Sequence, residues 1–325
     1  MSLQAIMAII RRMVAAALLL LGSAAVLVWG VGEWFSDTTV WSQWLSWIPA
    51  LILVPAGILW CIGCLLLKNA RRFMSIGVVL LILGPLLFFS RNWKAGVSED
   101  PRTGITITQW TLGTLKVNED AYADALLEIN SDLNLIEGGK RLRWASAIQD
   151  WLGPDRRSYS TGIFSILSKL PVTQFRSVVW AQGIHMAILD VQGPGFETEP
   201  LHILLVDLPS DPNRSRAEIA RSVQTLYEQV ELPPIDLIIG DFNMTANSHS
   251  LSTLFPEFEM AWPEVGAGWA PTFPREWSVV RIDHVLTGPH VEITRLETID
   301  PGLGRHRLQI MDIAPRQSRG ASVAD

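Results

Sequence analysis

Three apolar runs crowded into the first 92 residues, about Met13 to Val31, Leu45 to Leu67 and Phe73 to Ser90, constrain this chain more than any other feature. Each is near the roughly 20 residues that cross a bilayer core, and none carries the polar stripe of a helix half-buried on a soluble domain. The stretch holds Arg11, Arg12, Lys68, Arg71, Arg72 and Arg91 against Glu33 and Asp37, a net +4, which leaves −10 for the rest of a chain whose total is −6. A membrane domain of three transmembrane helices is therefore expected over residues 1–92. The first run can also be read as a cleaved signal, with Arg11 and Arg12 before it and small Ala24 and Ala25 near its end. Its apolar stretch exceeds the about 7–15 residues usual for a signal.

Trp34, Trp41, Trp44, Trp47 and Trp93 fall at or just beyond the ends of these runs, where an indole keeps its ring in the interface and its N–H wet. Basic residues before the first run and between the second and third place the N-terminus and that second loop in the cytoplasm. After three spans, everything beyond Ser90 emerges on the outer side. The only cysteines, Cys61 and Cys64, lie inside the second run without His or Cys partners nearby, and read more simply as small packing residues than as a redox or metal pair.

Beyond a polar linker at 93–104, apolar strand-like segments alternate with helical ones, the pattern of a layered α/β domain over 105–314, followed by a polar tail at 315–325. Expected strands are Ile105–Trp110, Leu133–Glu137, Gly162–Leu167, Met186–Val191, His202–Leu208, Ile235–Ile239, Val280–Thr287, Val291–Leu296 and Leu308–Ile313. Nine strands exceed one small sheet, so two packed sheets are expected. Helices are expected at Glu119–Ile129 and Arg216–Val230, the second opened by a Ser215/Glu218 capping box with Ile219, Val223, Leu226 and Val230 on one face.

Chemistry concentrates at three places. The strand from Ile235 runs directly into Gly240-Asp241-Phe242-Asn243, so Asp241 and Asn243 share one side of the chain by the period-two alternation of strands. An ordinary Asp–Asn turn would have the same spacing. Asp283 interrupts the apolar segment Arg281-Ile282-Asp283-His284-Val285, and a carboxylate there needs a partner. His306 sits between Arg305 and Arg307 just before the closing strand; Asp283 could orient it as an acid–base group, or it could be a solvated surface histidine.

Together these segments resemble the endonuclease/exonuclease/phosphatase superfamily over about Ile105 to Ile313, most specifically at Gly240–Asn243 and Arg281–Val285. Thr161–Ser168 with Pro171-Val172, and Ala270–Pro274, are further matches in the family's order. The resemblance implies a two-sheet α/β sandwich preceded by the three transmembrane helices. It implies that Asp241 and Asn243 activate water and contact the phosphate, that Asp283 pairs with a catalytic His306, and that Glu137 holds a divalent metal, with Mg²⁺ the hard cation suited to carboxylates and phosphate oxygens.

Three positions depart from the pattern: Thr111 stands where the family has Asn, Asp207 where it has His, and Arg305 where it has a carboxylate beside the catalytic histidine. The last exchange shifts that corner by two charge units against a cation, and offers a guanidinium to bind substrate phosphate. The expected function is a membrane-anchored, metal-dependent phosphoesterase. Its expected substrate is a phosphodiester, lipid phosphate or envelope-precursor pyrophosphate, because a −10 domain suits duplex nucleic acid poorly and a tether suits a lipid-linked substrate. The arrangement is similar to that of bacterial teicoplanin-resistance-type membrane proteins, which implies a multi-pass protein of the bacterial inner membrane with its C-terminal domain extracytoplasmic. The alternatives are an inactive envelope protein binding a phosphorylated ligand in the same pocket, or a nuclease.

Overall fold

The computed structural model of the chain describes residues 1–96, 104–113 and 119–316. Most of the expected linker and tail, 97–103 and 317–325, therefore lies outside the described residues. The chain divides into two compact units.

The first unit is Met1–Trp93 with the short segments Pro212–Glu218 and Asn247–Ser250. Its helices are α1 (Leu3–Phe35), α2 (Ser42–Ser46), α3 (Leu53–Leu66) and α4 (Met74–Asn92). Two helical stretches, Leu3–Phe35 and Ala70–Asn92, are long and apolar enough to cross a membrane. Only 11% and 17% of their most apolar windows are buried, unlike the core helix of a soluble protein. The middle apolar helix, Ala50–Leu66, is shorter than the expected span, because Ser42–Ser46 forms a helix of its own and Pro49 separates the two. The helices approach closely through small residues. A Cβ on Gly57 would come 2.7 Å from the Gly77 carbonyl, and one on Gly63 2.8 Å from Leu19 Cγ. Such contacts hold helices together where lipid removes the hydrophobic drive between them. Cys61 and Cys64 are free thiols, and Cys61 packs against Gly77, as the packing reading has it.

Charges in this unit segregate by end. Arg11, Arg12 and Arg72 line one cavity, whereas Glu33 near the end of α1 accepts a two-pronged ion pair from Arg91 in the last turn of α4, at 2.7 and 3.1 Å. The C-terminal ends of α1 and α4 therefore lie at the same level. Asp37, counted above among the charges of this stretch, is 2% exposed and accepts hydrogen bonds from the Ser250 N–H (3.2 Å) and hydroxyl (3.0 Å) and from the Ser248 hydroxyl.

The second unit is built of two sheets. The strands are β1 (Trp93–Lys94), β2 (Ile105–Thr111), β3 (Leu133–Glu137), β4 (Arg157–Thr161), β5 (Phe164–Ser168), β6 (Val172–Ala181), β7 (Ile184–Val191), β8 (Leu201–Asp207), β9 (Leu237–Asp241), β10 (Glu259–Met260), β11 (Gly266–Trp269), β12 (Asp283–Thr287), β13 (Val291–Ile299) and β14 (Leu308–Pro315). The eight-stranded sheet runs β1-β11-β13-β14-β2-β3-β5-β4 and the six-stranded one β10-β12-β9-β8-β7-β6. Inner faces meet through Ile105, Ile107, Leu133, Leu135 and Ile166 on one side and Leu189, Ile203, Leu205, Leu237, Ile239 and Val285 on the other. Outer faces are covered by helices. Tyr122 and Leu126 of α5 (Glu119–Ile129) pack with Trp110 and Ile136, and Ile219 and Val223 pack with Leu204, Val206 and Ile238. Strands inside the sandwich point alternate residues to opposite faces, which is why Ile203 and Leu205 enter the central core while Leu204 and Val206 face a helix.

Candidate active site

The same alternation builds the site. Inner-face residues on successive strands read Leu133-Leu135-Glu137, Ile203-Leu205-Asp207, Leu237-Ile239-Asp241 and Ile107-Gln109-Thr111, with apolar side chains in the core and a polar one where the strand leaves it. Asp283 opens β12 opposite Asp241, so it enters the same end of the sandwich. Register, not proximity in sequence, thus gathers Glu137, Asp207, Asp241 and Asp283.

Gly240 makes the close approach possible. Its φ is +146°, and a Cβ there would collide with the Val206 carbonyl and lie 2.8 Å from Glu137 Oε1. Gly240→Ala is expected to cost at least about 2 kcal/mol, a fall of roughly 4–8 °C in the melting temperature of a domain this size. Thermal melts of the variant in detergent check this; an unchanged midpoint would refute the packing argument.

His306 Nδ1 lies 2.8 Å from Asp283 Oδ2, and its Nε2 lies 3.9 Å from Asp241 Oδ2. The ring is 6% exposed, packs 5.0 Å from Phe273, and its backbone carbonyl accepts a bond from Trp110 Nε1 at 3.1 Å. His306 is therefore not a solvated surface histidine. Burial works against its charged form, yet Asp283, by charge and hydrogen bond, and Asp241 overcome this and push it up to about 9. Asp283 moves down, because the imidazolium and the bonds from His306, Thr272 and Thr111 outweigh its burial. Asp241 and Glu137 move well up, driven first by burial and then by the crowd of neighbouring carboxylates.

Raised above its unfolded value of about 6.5, His306 stabilises the metal-free fold fully below that pH and loses the contribution as pH climbs through about 9. An imidazole titration of chelator-treated protein by NMR should place one histidine near 9. A midpoint near 6.5 for every histidine would contradict the ion pair. His284, one residue from Asp283, is its counterexample. Burial and Arg281 push it down to about 3, its Nε2 contacts the Met244 carbonyl at 2.8 Å, and it is a neutral structural group.

The turn after β9 is locked by its own side chains. The Asn243 N–H donates to Asp241 Oδ1 (2.9 Å), its amide donates to the Leu208 carbonyl (2.8 Å), and its φ is +50°. Glu137 is 3% exposed; its oxygens accept from Gln109 Nε2 (3.2 Å) and the Asp241 N–H (3.3 Å), and Oε2 lies 3.0 Å from the Thr111 hydroxyl. That hydroxyl also stands 2.7 Å from Asp283 Oδ1. Thr111, noted in the sequence only as a departure, therefore links the Glu137 carboxylate to the Asp283–His306 pair. The structure thus brings Glu137, Asp241, Asn243, Asp283 and His306 into one buried cluster. Arg305 is exposed at its rim, with its guanidinium 5.7 Å from the centre of the Phe273 ring.

An all-oxygen donor set suits a hard divalent cation. The observation that favours one is electrostatic: Glu137 and Asp241 are driven well up, first by burial and then by neighbouring carboxylates, and a cation would offset both costs. Asp241, Asp283 and His306 also place ligand-type atoms within 4.8 Å of one another. Sequence reasoning missed Gln109, which enters the site through strand register and donates to Glu137.

No curated protein sequence matches the chain significantly. Among solved structures it is similar to an endonuclease/exonuclease/phosphatase family protein of Bacteroides thetaiotaomicron, with TM-score 0.51, 12% identity, and coverage of 65% of this chain and 97% of that one. A mannosyl-6-phosphatase of the same organism gives TM-score 0.52, 11% identity and coverage of 65% and 99%. A family protein of Bacteroides vulgatus gives 0.50, 13% and coverage of 66% and 100%. At such identities these likenesses speak to fold alone. The sequence profile of the Endonuclease/Exonuclease/phosphatase family matches residues 128–317, more than half of the chain, and with the two-sheet sandwich it shows that this protein belongs to that family.

Proposed function

We propose that the protein is a membrane-anchored, metal-dependent phosphoesterase whose catalytic domain works outside the cytoplasm, on a phosphodiester, lipid phosphate or envelope-precursor pyrophosphate. The observation that carries this reading is the chain Asp283–His306–Asp241, buried at the end of the sandwich beside Glu137.

In this reading a water oxygen bonds to phosphorus as the bond from phosphorus to the leaving oxygen breaks. Asp241, whose proton affinity is raised, takes the proton of the water, and Asn243 holds the turn that aims it. His306, whose proton affinity Asp283 and Asp241 raise in the metal-free site, would give its Nε2 proton to the departing oxygen as the acid of the pair. Proton return from Asp241 across 3.9 Å resets the pair. Glu137 would hold Mg²⁺. When bound, the cation polarises a phosphoryl oxygen and offsets the carboxylate charge. Arg305, exposed at the rim, would meet a second phosphoryl oxygen.

The deciding experiment is hydrolysis of a panel of phosphodiesters, lipid phosphates and pyrophosphates by the full chain in nanodiscs, with a His306→Ala control. Metal-dependent turnover that the control lacks is expected. Arg305→Ala should lower it, about tenfold for loss of one charged contact. A wild type inert on the whole panel, together with activity gained by Arg305→Asp, would support the non-catalytic binding reading instead.

Orientation rests on the charges: the basic cavity at one end of the helices, Glu33 and Arg91 at the other. A reporter active only outside the cytoplasm should be active when fused after Asp325 and silent when fused after Lys68. The reverse result would put the domain inside.

A further inference from the structure

One row of residues extends the site sideways. Register pairs Asp283 with Asp241, Asp241 with Asp207, Asp207 with His185 and His185 with Trp180, on five adjacent strands of the six-stranded sheet. Paired residues face the same side, and strands lie about 4.8 Å apart, so Asp207, His185 and Trp180 stand about 5, 10 and 14 Å from Asp241 along a line. Their side chains touch. His185 Nδ1 is 3.2 Å from Asp207 Oδ2, and the Trp180 and His185 rings stack with centroids 4.1 Å apart and planes inclined by 35°.

Trp180 also touches the other sheet. Its indole lies against Gly162, where a Cβ would come within 2.5 Å of Cζ3. The neighbouring Ile163 carbonyl accepts a bond from the Gly138 N–H, at 3.0 Å, directly after Glu137. The indole thus reaches from the edge of one sheet to the β4–β5 turn of the other, two residues before Phe164, which pairs with Glu137. It nevertheless remains 56% exposed, although a side chain this size is normally covered.

The chemistry of the row selects its occupant. The exposed part of the indole, beyond its contacts with His185 and Gly162, can stack on the C–H face of a ring, while a carboxylate and an imidazole held side by side can bond to neighbouring hydroxyls. The row carries no lysine or arginine, so it offers no cation to a second phosphate. Polyphosphorylated leaving groups and a nucleic-acid backbone fit it poorly. We propose that Trp180, His185 and Asp207 form the leaving-group subsite of this phosphoesterase, and that its occupant is an uncharged hydroxylated ring, a sugar esterified to the reacting phosphate. This rests on the hydrolase reading and adds the leaving group to it.

The test gives the full chain in nanodiscs, with Mg²⁺, mannose 6-phosphate or glucose 6-phosphate against ethyl phosphate, and the ethyl diesters of the same sugars against diethyl phosphate. The sugar esters should exceed their ring-free counterparts in kcat/KM by about tenfold or more, the scale of one good aromatic contact. In Trp180→Ala that ratio should fall towards one through KM, and Trp180→Phe should restore most of it. Saturation-transfer NMR with methyl glycosides of mannose, glucose and N-acetylglucosamine supplies a readout independent of turnover. Transfer to ring protons should be seen in wild type and in His306→Ala, and lost in Trp180→Ala. If every ester is inert but a glycoside still binds through Trp180, the hydrolase reading falls and the sugar subsite stands. If wild type hydrolyses esters with a ratio near one, binds no glycoside, or prefers an oligonucleotide, the subsite is refuted and the hydrolase reading survives.

Discussion

Replacing His306 with alanine should lower kcat/KM on the best phosphoester by about 10³-fold or more, the upper range for one acid–base group and roughly 4 kcal/mol of transition-state stabilisation. The expectation follows from two contacts that no substitute preserves. Asp283 holds Nδ1 at 2.8 Å, and the opposite nitrogen faces Asp241 at 3.9 Å. Asp283→Asn tests the same device from its other end. An amide keeps the shape but removes the charge that lifts His306 to about 9, so the ring should lose its proton within the neutral range. The variant should therefore keep some activity at low pH and lose it as pH rises through about 6–7, where an unassisted histidine titrates. A parallel fall at every pH would show that Asp283 acts by position alone. Full activity in His306→Ala would remove the histidine from the chemistry.

Much of this centre was legible because one short rule governs it. Where an apolar strand ends in a polar residue on its inward face, the core ends and the site begins. Leu237-Ile238-Ile239-Gly240-Asp241 carries that rule openly, and Leu133–Glu137 carries it again. The helix at Glu119–Ile129 was legible from its pattern, and the Ser215 cap is present, with the Glu218 N–H donating to the Ser215 hydroxyl at 3.2 Å. What escaped depends on edges and pairings. The strand Val172–Ala181 is the outermost of its sheet, alternates polar residues such as Gln174 and Arg176, and is bulged twice, so it shows no unbroken period of two. Without it, Trp180 has no place beside His185. Arg157–Thr161 was missed for the same reason, as an edge strand without a buried face. Asp37 misled in the opposite direction. A carboxylate in a short loop looks like a solvated charge, and nothing local in the sequence tells that Ser248 and Ser250, over 200 residues away, donate to it.

Glu137→Gln separates binding of the cation from the rest of the machinery. Adding Mg²⁺ to the wild type should raise its melting temperature, because a ligand bound only by the folded state stabilises it by about 2.7 kcal/mol at a hundred times its dissociation constant. Glu137 is buried, crowded by Asp207, Asp241 and Asp283, and driven well above the ordinary carboxylate range, first by burial and then by that crowd. Without metal its charge is a burden on the fold. A carboxyl whose folded value is raised contributes stability below its unfolded value of about 4.3, and the contribution fades as pH rises through the higher folded one. Metal-free Glu137→Gln should therefore lose that pH dependence. The lost charge offsets part of the cost of disturbing the bonds from Gln109, Thr111 and the Asp241 N–H. With Mg²⁺ the order reverses: the wild type gains and the variant does not, so the melting shift shrinks to nearly zero and turnover falls with it. Calorimetric titration with Mg²⁺ measures the same loss without heating. If the variant bound Mg²⁺ as tightly as the wild type, the cation would have to sit elsewhere. The Asp241, Asp283 and His306 trio is the next candidate, and there metal and imidazolium would compete for the same oxygens. His306 would then titrate lower with Mg²⁺ present than without it, while a cation held mainly by Glu137 should move it far less.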